Sequence, residues 1–236
     1  MLPLFYIAAY ERDQQEILLD EVSSRHIIQV LRMNSGQMVR LTDGKGHLVE
    51  AAIIDGHKKK CVVEVRRSQF QVRGGRSVTL AISLLKNVTR FEWLLEKATE
   101  IGIARIIPLI CERTEKRHLR VDRMQQILIS AMIQSQQTWL PDLTSPIDPD
   151  QVITSAGEAR KFIAHCAAGV RSPLSRVDRD QMSSCLILIG PEGDFTEREI
   201  ATAVHHGFEP VSLGSTRLRT ETAGMVAAAI LCAGCG

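Results

Sequence analysis

Two glycine-bearing loops, each set directly behind a short aliphatic run, constrain this chain more than any other feature. The first reads Leu186-Ile187-Leu188-Ile189-Gly190-Pro191-Glu192-Gly193-Asp194-Phe195, and the second Val211-Ser212-Leu213-Gly214-Ser215-Thr216-Arg217-Leu218-Arg219-Thr220-Glu221-Thr222. An unbroken aliphatic run suits a strand covered on both faces. Where such a strand enters Gly-Pro-x-Gly, main-chain N–H and C=O groups are left free at its carboxyl end, the place where open α/β sheets bind ligands. A helix is expected behind each loop. Thr196 with Glu199 gives a capping-box signal with Gly207 as the stop, and Thr220-Glu221-Thr222 opens onto the apolar run from Ala223 to Cys232.

The preceding residues extend this pattern. A strand over Val78 to Leu85, an amphipathic helix over Phe91 to Ile101 closed by Gly102, and a strand over Ala104 to Ile110 predict a parallel, doubly covered sheet. A helix from Val121 to Gln136, a Pro-rich loop from Pro141 to Pro149, and strands at Lys161 to Cys166, Cys185 to Ile189 and Val211 to Leu213 continue it. Upstream the character is different: a strand over Leu2 to Ala9, then a helix over Asp20 to Leu31 that buries Ile27, Ile28, Val30 and Leu31. A hairpin follows, with arms Gln37 to Leu41 and His47 to Ile54 about Asp43-Gly44 and Gly46, and then a strand over Cys61 to Val65. Gln71 to Arg76, with Gly74-Gly75, reads as the linker, which gives an N-terminal domain over 1–72 and a C-terminal domain over 73–236.

Composition bounds the partners. The 236 residues are 44% hydrophobic, enough for a real core, and the apolar run after Glu221 is too short and too rich in Ala and Gly for a membrane span. With no signal-peptide pattern at the start, a cytoplasmic protein is expected. The six cysteines are scattered; only Cys232 and Cys235 are closely spaced, without a partner pair or nearby His, so no metal is expected. A net charge of +2 conceals clustering. Lys58, Lys59, Lys60, Arg66, Arg67, Arg73 and Arg76 face one acid, Glu64, and a second group holds Arg113, Lys116, Arg117, His118, Arg120 and Arg123. Two such clusters favour a nucleic-acid partner over mere solvated faces.

P-loop, dinucleotide, nucleophile-elbow and zinc-helix signatures are all absent from the sequence. What remains is a largely main-chain site with Glu192, Asp194, Arg219 and Glu221 as its charged members. Main-chain groups can hydrogen-bond an adenine-like edge, Ile189, Leu213 and Leu218 can wall its ring, and Arg219 can pair with a carboxylate or phosphate. The acids could equally cap helices or brace the loops.

Leu188-Ile189-Gly190-Pro191-Glu192-Gly193 followed by Leu213-Gly214-x-x-x-Leu218-Arg219-Thr220-Glu221-Thr222-Ala223 resembles the paired motifs of SPOUT-superfamily RNA methyltransferases, and more narrowly the RsmE family. Arg25 to Met33, Asp43-Gly44 and Glu96 to Gly102 fall where that family has similar stretches. The resemblance implies a C-terminal SPOUT-type α/β trefoil knot, an N-terminal PUA-like β-barrel domain, and a homodimer that methylates N3 of a uridine in 16S ribosomal RNA, within the small ribosomal subunit, using S-adenosylmethionine. On this reading His165, Leu188, Ile189, Gly190, Pro191, Gly193, Leu213, Gly214, Leu218, Arg219, Thr220 and Thr222 hold the cofactor. Glu192, or else Glu221, takes the N3 proton, and Arg219 steadies the developing charge. Arg25, Arg32, Lys58, Lys59, Lys60, Arg66, Arg67, Arg113 and Arg117 contact RNA. The chain departs from the family pattern at Leu4, in place of arginine, at Gln136-Gln137-Thr138, and at Cys166-Ala167-Ala168, which supplies no acid after His165. An RNA-binding or ribosome-assembly protein that keeps the fold without the chemistry is the alternative reading.

Overall fold

A computed structural model of the chain describes residues 2–167, 169–179 and 182–233. They form two compact units, Met1–Arg73 with Ile129–Leu140, and Gly74–Leu128 with Pro141–Gly236. Cys235, half of the cysteine pair weighed above, lies outside the described residues, as does Ala168.

In the first unit, β1 (Leu4–Tyr6), β2 (Glu16–Leu18), β3 (Met38–Thr42), β4 (His47–Asp55) and β5 (Val62–Phe70) form one sheet in the order β1-β3-β4-β5-β2. β1 runs parallel to β3 and the other pairs are antiparallel. Register shifts between Glu50 and Ala51 and between Ile53 and Asp55 break the β4–β5 ladder, and such irregularities increase twist. The sheet curls around Phe5, Ile17, Leu19, Val39, Val49 and Val63.

The expected helix over Asp20 to Leu31 is corrected here. Asp20 caps α1 (Glu21–Arg25), its Oδ1 accepting from the Ser23 N–H at 2.6 Å, and the chain then widens into a π-helical turn over His26–Val30. An i→i+5 turn carries later residues off the stripe that an α-helix would keep. Ile27 is fully buried, but Val30 is 67% and Leu31 42% exposed.

The second unit is a seven-stranded sheet whose pairs are all parallel. Its strands are β6 (Ser77–Ser83), β7 (Arg105–Leu109), β8 (Asp142–Leu143), β9 (Arg160–Ala164), β10 (Ser172–Pro173), β11 (Ser184–Ile189) and β12 (Glu209–Ser212), ordered β10-β12-β9-β11-β6-β7-β8. β11 is thus laid between two earlier strands, β9 and β6, and β12 between β9 and β10. This is a topological switch that sets the ends of β9, β11 and β12 side by side. Cys185 to Ile189 are all buried, as their unbroken aliphatic run requires.

The helices are α2 (Val88–Ile101), α3 (Val121–Gln134), α4 (Pro149–Ser155), α5 (Glu197–His205) and α6 (Thr220–Cys232). α2 opens on Asn87 and closes on Gly102 at φ 96°, a left-handed cap that suits glycine. α5 carries the capping box reciprocally: Thr196 accepts from the Glu199 N–H while the Glu199 carboxylate accepts from the Thr196 N–H. α4 begins where the Pro-rich loop ends, because Asp148 caps it and Pro149 occupies its first turn. Among the described residues no helix is long and apolar enough to cross a membrane.

The last turn of α6 ends on arginine side chains. Arg76 donates from Nε to Met182 O at 3.0 Å, from Nη1 to Leu231 O at 2.6 Å and from Nη2 to Arg179 O, while Arg179 Nη1 donates to Ile230 O at 2.7 Å. Two guanidinium groups therefore satisfy the carbonyls that a helix end leaves open and oppose its negative pole. Arg76, counted by sequence in the first basic cluster, is thus engaged within the fold. Arg76→Met is expected to lower unfolding free energy by about 2–3 kcal/mol, checked by urea denaturation, because it strips charged donors from partly buried carbonyls.

Candidate active site

The loops behind β9, β11 and β12 and the first turn of α6 enclose a cavity of about 520 Å³. Its lining begins at the strand ends, with Ala164 to Cys166, Ile189 to Glu192 and Val211 to Leu213. It continues through Gly214 to Thr220, with Asp194, Arg171 and Ala223 completing it. Register explains the convergence, since Ala164 pairs with both Ile189 and Val211.

The first loop folds back on itself. A Cβ added to Gly190 would stand 3.0 Å from Phe195 Cδ2 and 3.1 Å from Phe195 N, so a side chain there would require the buried Phe195 to give way by a few tenths of an ångström. Asp194 adopts φ 65°, a left-handed conformation that Asp tolerates better than most residues. One carboxylate oxygen accepts from the Phe195 N–H at 2.8 Å and the other from the Cys166 N–H at 2.7 Å, tying the loop after β11 to that after β9. Arg113 buttresses the same loop by donating to Gly193 O at 2.8 Å and Phe195 O at 3.4 Å.

His165 is the unusual group. It lines the cavity at 9% exposure, and neither buried ring nitrogen has a hydrogen-bond partner among the described residues. Burial pushes its pKa below the ordinary imidazole value, the neighbouring Asp194 carboxylate opposing this and the Arg171 guanidinium adding to it. A native imidazole that resists protonation makes the folded state bind fewer protons than the unfolded chain once the pH falls below the unfolded value near 6.5. Stability is therefore present in full above that pH and lost as the pH falls through the window beneath it. Urea unfolding of the wild type and of His165→Gln at pH 7.5 and 5.5 is expected to show a smaller acid loss in the variant.

Of the residues assigned to the cofactor by sequence, His165, Ile189, Gly190, Pro191, Leu213, Gly214, Leu218, Arg219 and Thr220 line this cavity, whereas Leu188, Gly193 and Thr222 do not. The Leu188 side chain is fully buried in the core on which Phe195 and Phe208 also lie. Glu192 and Arg219 are exposed at the cavity, with Glu192 Oε1 accepting from the Lys86 N–H at 3.4 Å and its carbonyl from Arg217 Nη2 at 3.5 Å. Glu221 stands outside the lining, 7% exposed, with Arg90 Nε 3.6 Å from its carboxylate. Sequence reading missed Lys86, Arg90 and Arg171. The first two flank the Asn87 cap of α2, far along the chain from the loops, and only the pairing of β6 with β11 brings them near.

The basic residues assigned to RNA are exposed, several with light pairing: Arg25 to Glu21 at 2.6 Å, Lys59 to Glu21 at 3.7 Å and Arg66 to Glu64 at 2.6 Å. Exposed pairs of this kind contribute little and can yield to a polyanion. Arg32, Lys58, Lys60, Arg67 and Arg117 are exposed as well. Among the described residues no cluster of His, Cys, Asp and Glu could hold a metal ion.

Residues 74–232 match the family model described as an RNA methyltransferase domain, and residues 19–66 the RNA methyltransferase PUA domain. Ribosomal RNA small subunit methyltransferase E of Synechocystis is 31% identical, over 90% of this chain and 71% of the relative. A crystal structure of a probable rRNA-methyltransferase from Porphyromonas gingivalis matches with TM-score 0.89 and 37% identity, covering 96% of this chain and 95% of that one. The Ribosomal RNA small subunit methyltransferase E of Neisseria gonorrhoeae, solved bound to S-adenosyl methionine, matches with TM-score 0.86 and 29% identity, covering 97% and 96%. The parallel sheet with its strand-end cavity and the curled sheet before it are accordingly a SPOUT-type α/β knot with a PUA-like domain, and the chain belongs to the RsmE family of RNA methyltransferases.

Proposed function

We propose that this cavity is the cofactor site of an S-adenosylmethionine-dependent methyltransferase acting on N3 of a uridine in 16S ribosomal RNA. One observation carries the reading: a buried histidine with two open ring nitrogens, two main-chain loops, and an exposed carboxylate and guanidinium meet at a single cavity. The volume suits a nucleoside-sized ligand, and a polar edge on that ligand would satisfy His165. His165, Ile189, Gly190, Pro191, Leu213, Gly214, Leu218, Arg219 and Thr220 would hold the cofactor, with Leu188, Gly193 and Thr222 supporting the loops from outside the lining. When bound, the cofactor supplies a methyl group made electrophilic by a sulfonium.

The chain's own part is to position the acceptor and move one proton. Uridine N3 is a poor nucleophile while its proton remains, and the exposed Glu192 carboxylate at the cavity would take it, forming O–H as N–H breaks. The charge left on the uracil oxygens would face Arg219, beside the positive end of α6. Glu221, turned to Arg90, braces that helix. Residues 1–72 would act as the RNA-gripping domain through Arg25, Arg32, Lys58, Lys59, Lys60, Arg66 and Arg67, and residues 73–236 as the catalytic domain, with Arg113 and Arg117 as its contacts to RNA. Thr222, Ala223, Met225, Val226, Ala229 and Ile230 of α6 remain at least partly exposed, an apolar surface that a second copy in a homodimer would cover. The substrate locates this activity in the cytoplasm.

The test is to incubate the protein and S-adenosylmethionine with small ribosomal subunits from a strain lacking the modification, then digest the RNA for mass spectrometry. A new N3-methyluridine is expected. Cofactor and RNA binding without any methylated nucleoside would overturn the reading in favour of a non-catalytic RNA-binding protein.

A further inference from the structure

We infer that the first unit carries a base-stacking subsite of its own, a cation-flanked aromatic row that receives an unpaired base of the RNA; this rests on the substrate being RNA. The row runs Tyr10, His47, Phe70, Trp139, with successive ring centroids 5.4, 5.2 and 5.9 Å apart. The four residues come from four separate stretches of chain. The only sequence hint of this row is the Gly46 turn, which the hairpin alone would explain.

The row is built with care for its position. The Trp139 indole N–H donates to Gln71 O at 2.9 Å, and Thr138 Oγ1 donates to Gln71 Oε1 at 2.8 Å. Gly46, at φ +98°, lies so close that a Cβ there would meet Trp139 Cζ2 at 2.6 Å and Phe70 Cε2 at 2.9 Å. His47 is held from behind: its Nδ1 is 2.7 Å from Oδ2 of Asp43, a residue only 4% exposed whose other oxygen accepts the Lys45 and His47 N–H groups. Fixing a ring in advance removes the ordering cost that a flexible side chain would incur on binding.

Closing the end of a sheet does not by itself account for what is left open. Phe70 keeps 48% of its surface exposed, whereas the apolar residues packed inside this unit fall below a tenth. Cations flank the row. The Arg73 guanidinium lies over the Trp139 ring, 5.2 Å from its centroid, and Lys45, exposed and bridged to Trp139 through the main chain, has no carboxylate within ion-pair distance among the described residues. Planar π surfaces beside positive charge recognise a planar ring linked to phosphate, the chemistry of a nucleotide in a strand. An apolar peptide would use the rings and leave the cations idle. Reaching N3 of a uridine also requires local unpairing, so a single-stranded nucleotide near the target is available to be held.

The test uses the full chain carrying Trp93→Phe, which leaves Trp139 as its one tryptophan, since the sequence has two. Its emission is followed during titration with a short uridine-containing single-stranded RNA, the matching duplex, and uridine monophosphate. RNA affinity is measured in parallel for Phe70→Leu and Arg73→Gln. Saturable quenching by the single strand is expected, with about tenfold weaker RNA binding in Phe70→Leu, a smaller loss in Arg73→Gln, and unchanged S-adenosylmethionine affinity and melting temperature in both. If the wild type binds RNA but Trp139 stays silent and both variants bind equally well, the subsite is overturned and the substrate reading stands. Equal quenching by the monophosphate would also overturn it, in favour of a free-nucleotide site. Failure of the unsubstituted chain to bind any RNA would remove the reading beneath it as well.

Discussion

Arg219→Ala is expected to lower kcat by roughly a hundredfold to a thousandfold, the size of effect seen when one donor to a developing anion is removed, while leaving the melting temperature unchanged. The two halves of this expectation have separate grounds. Arg219 stands at the cap position of α6 but its side chain caps nothing, and no hydrogen bond or ion pair of its guanidinium is found among the described residues. Removing it leaves no buried partner stranded, so the fold has little to lose. The same freedom leaves the cation available at the cavity, where negative charge would collect on the uracil oxygens once N3 gives up its proton. Arg219→Lys keeps the charge but loses the planar fork, and should fall between wild type and alanine. Glu192→Gln is the companion test. It should lower kcat by about a hundredfold, within the usual range for loss of a positioned base. Full turnover in Glu192→Gln, with Arg219→Ala losing only cofactor affinity, would remove both residues from the chemistry.

Where the sequence speaks clearly in this protein, local physics decides the outcome. The β11 run is aliphatic because both faces of the strand are covered. The Thr196–Glu199 spacing becomes a reciprocal pair of hydrogen bonds, and Gly102 stands where a left-handed cap is needed. The glycine loops are legible for the same reason, since Gly190 marks an approach to Phe195 tighter than a side chain ordinarily makes. Elements set by partners distant in sequence leave no such mark. β2, β8 and β10 are two or three residues long, too short for any periodicity, and exist because a neighbouring edge offers hydrogen bonds. The π-helical turn arises within a stretch whose composition suits an α-helix, and it changes which residues face the core.

The site divides along the same line. Charge density alone cannot tell a free guanidinium from an engaged one. Arg76 and Arg113 both fall in basic clusters, yet the first holds carbonyls at the end of α6 and the second, 80 residues away in sequence from Gly193, props the loop after β11. His165 shows the converse. Nothing in its neighbours signals that both ring nitrogens would be buried without partners, because that depends on β11 and β12 entering the sheet on either side of β9.

Asp194→Ala should be the most damaging single change at the cavity that touches no reacting group. Its carboxylate makes the two charge-assisted bonds that fasten the loop after β11, one to the Phe195 N–H at 2.8 Å and one across to the Cys166 N–H at 2.7 Å. Alanine loses both and must also occupy φ 65°, where a Cβ without a polar side chain costs a further 1 kcal/mol or so. Together these amount to about 2–4 kcal/mol of local free energy. Part of this appears as a lower melting temperature, and part as a cavity whose two walls are no longer held in register. Since His165 sits at the junction the brace secures, S-adenosylmethionine affinity should fall by at least about tenfold, the equivalent of 1.4 kcal/mol of that loss. Asp194→Asn separates geometry from charge: asparagine tolerates the left-handed backbone and keeps one oxygen acceptor, so it should lose less than alanine in both measurements. Calorimetric titration and thermal melting of the two variants decide the matter. Equal losses in the two would mean that the carboxylate's charge, and not the backbone it permits, holds the walls together, whereas unchanged affinity in Asp194→Ala would show that the loops find their positions without the brace.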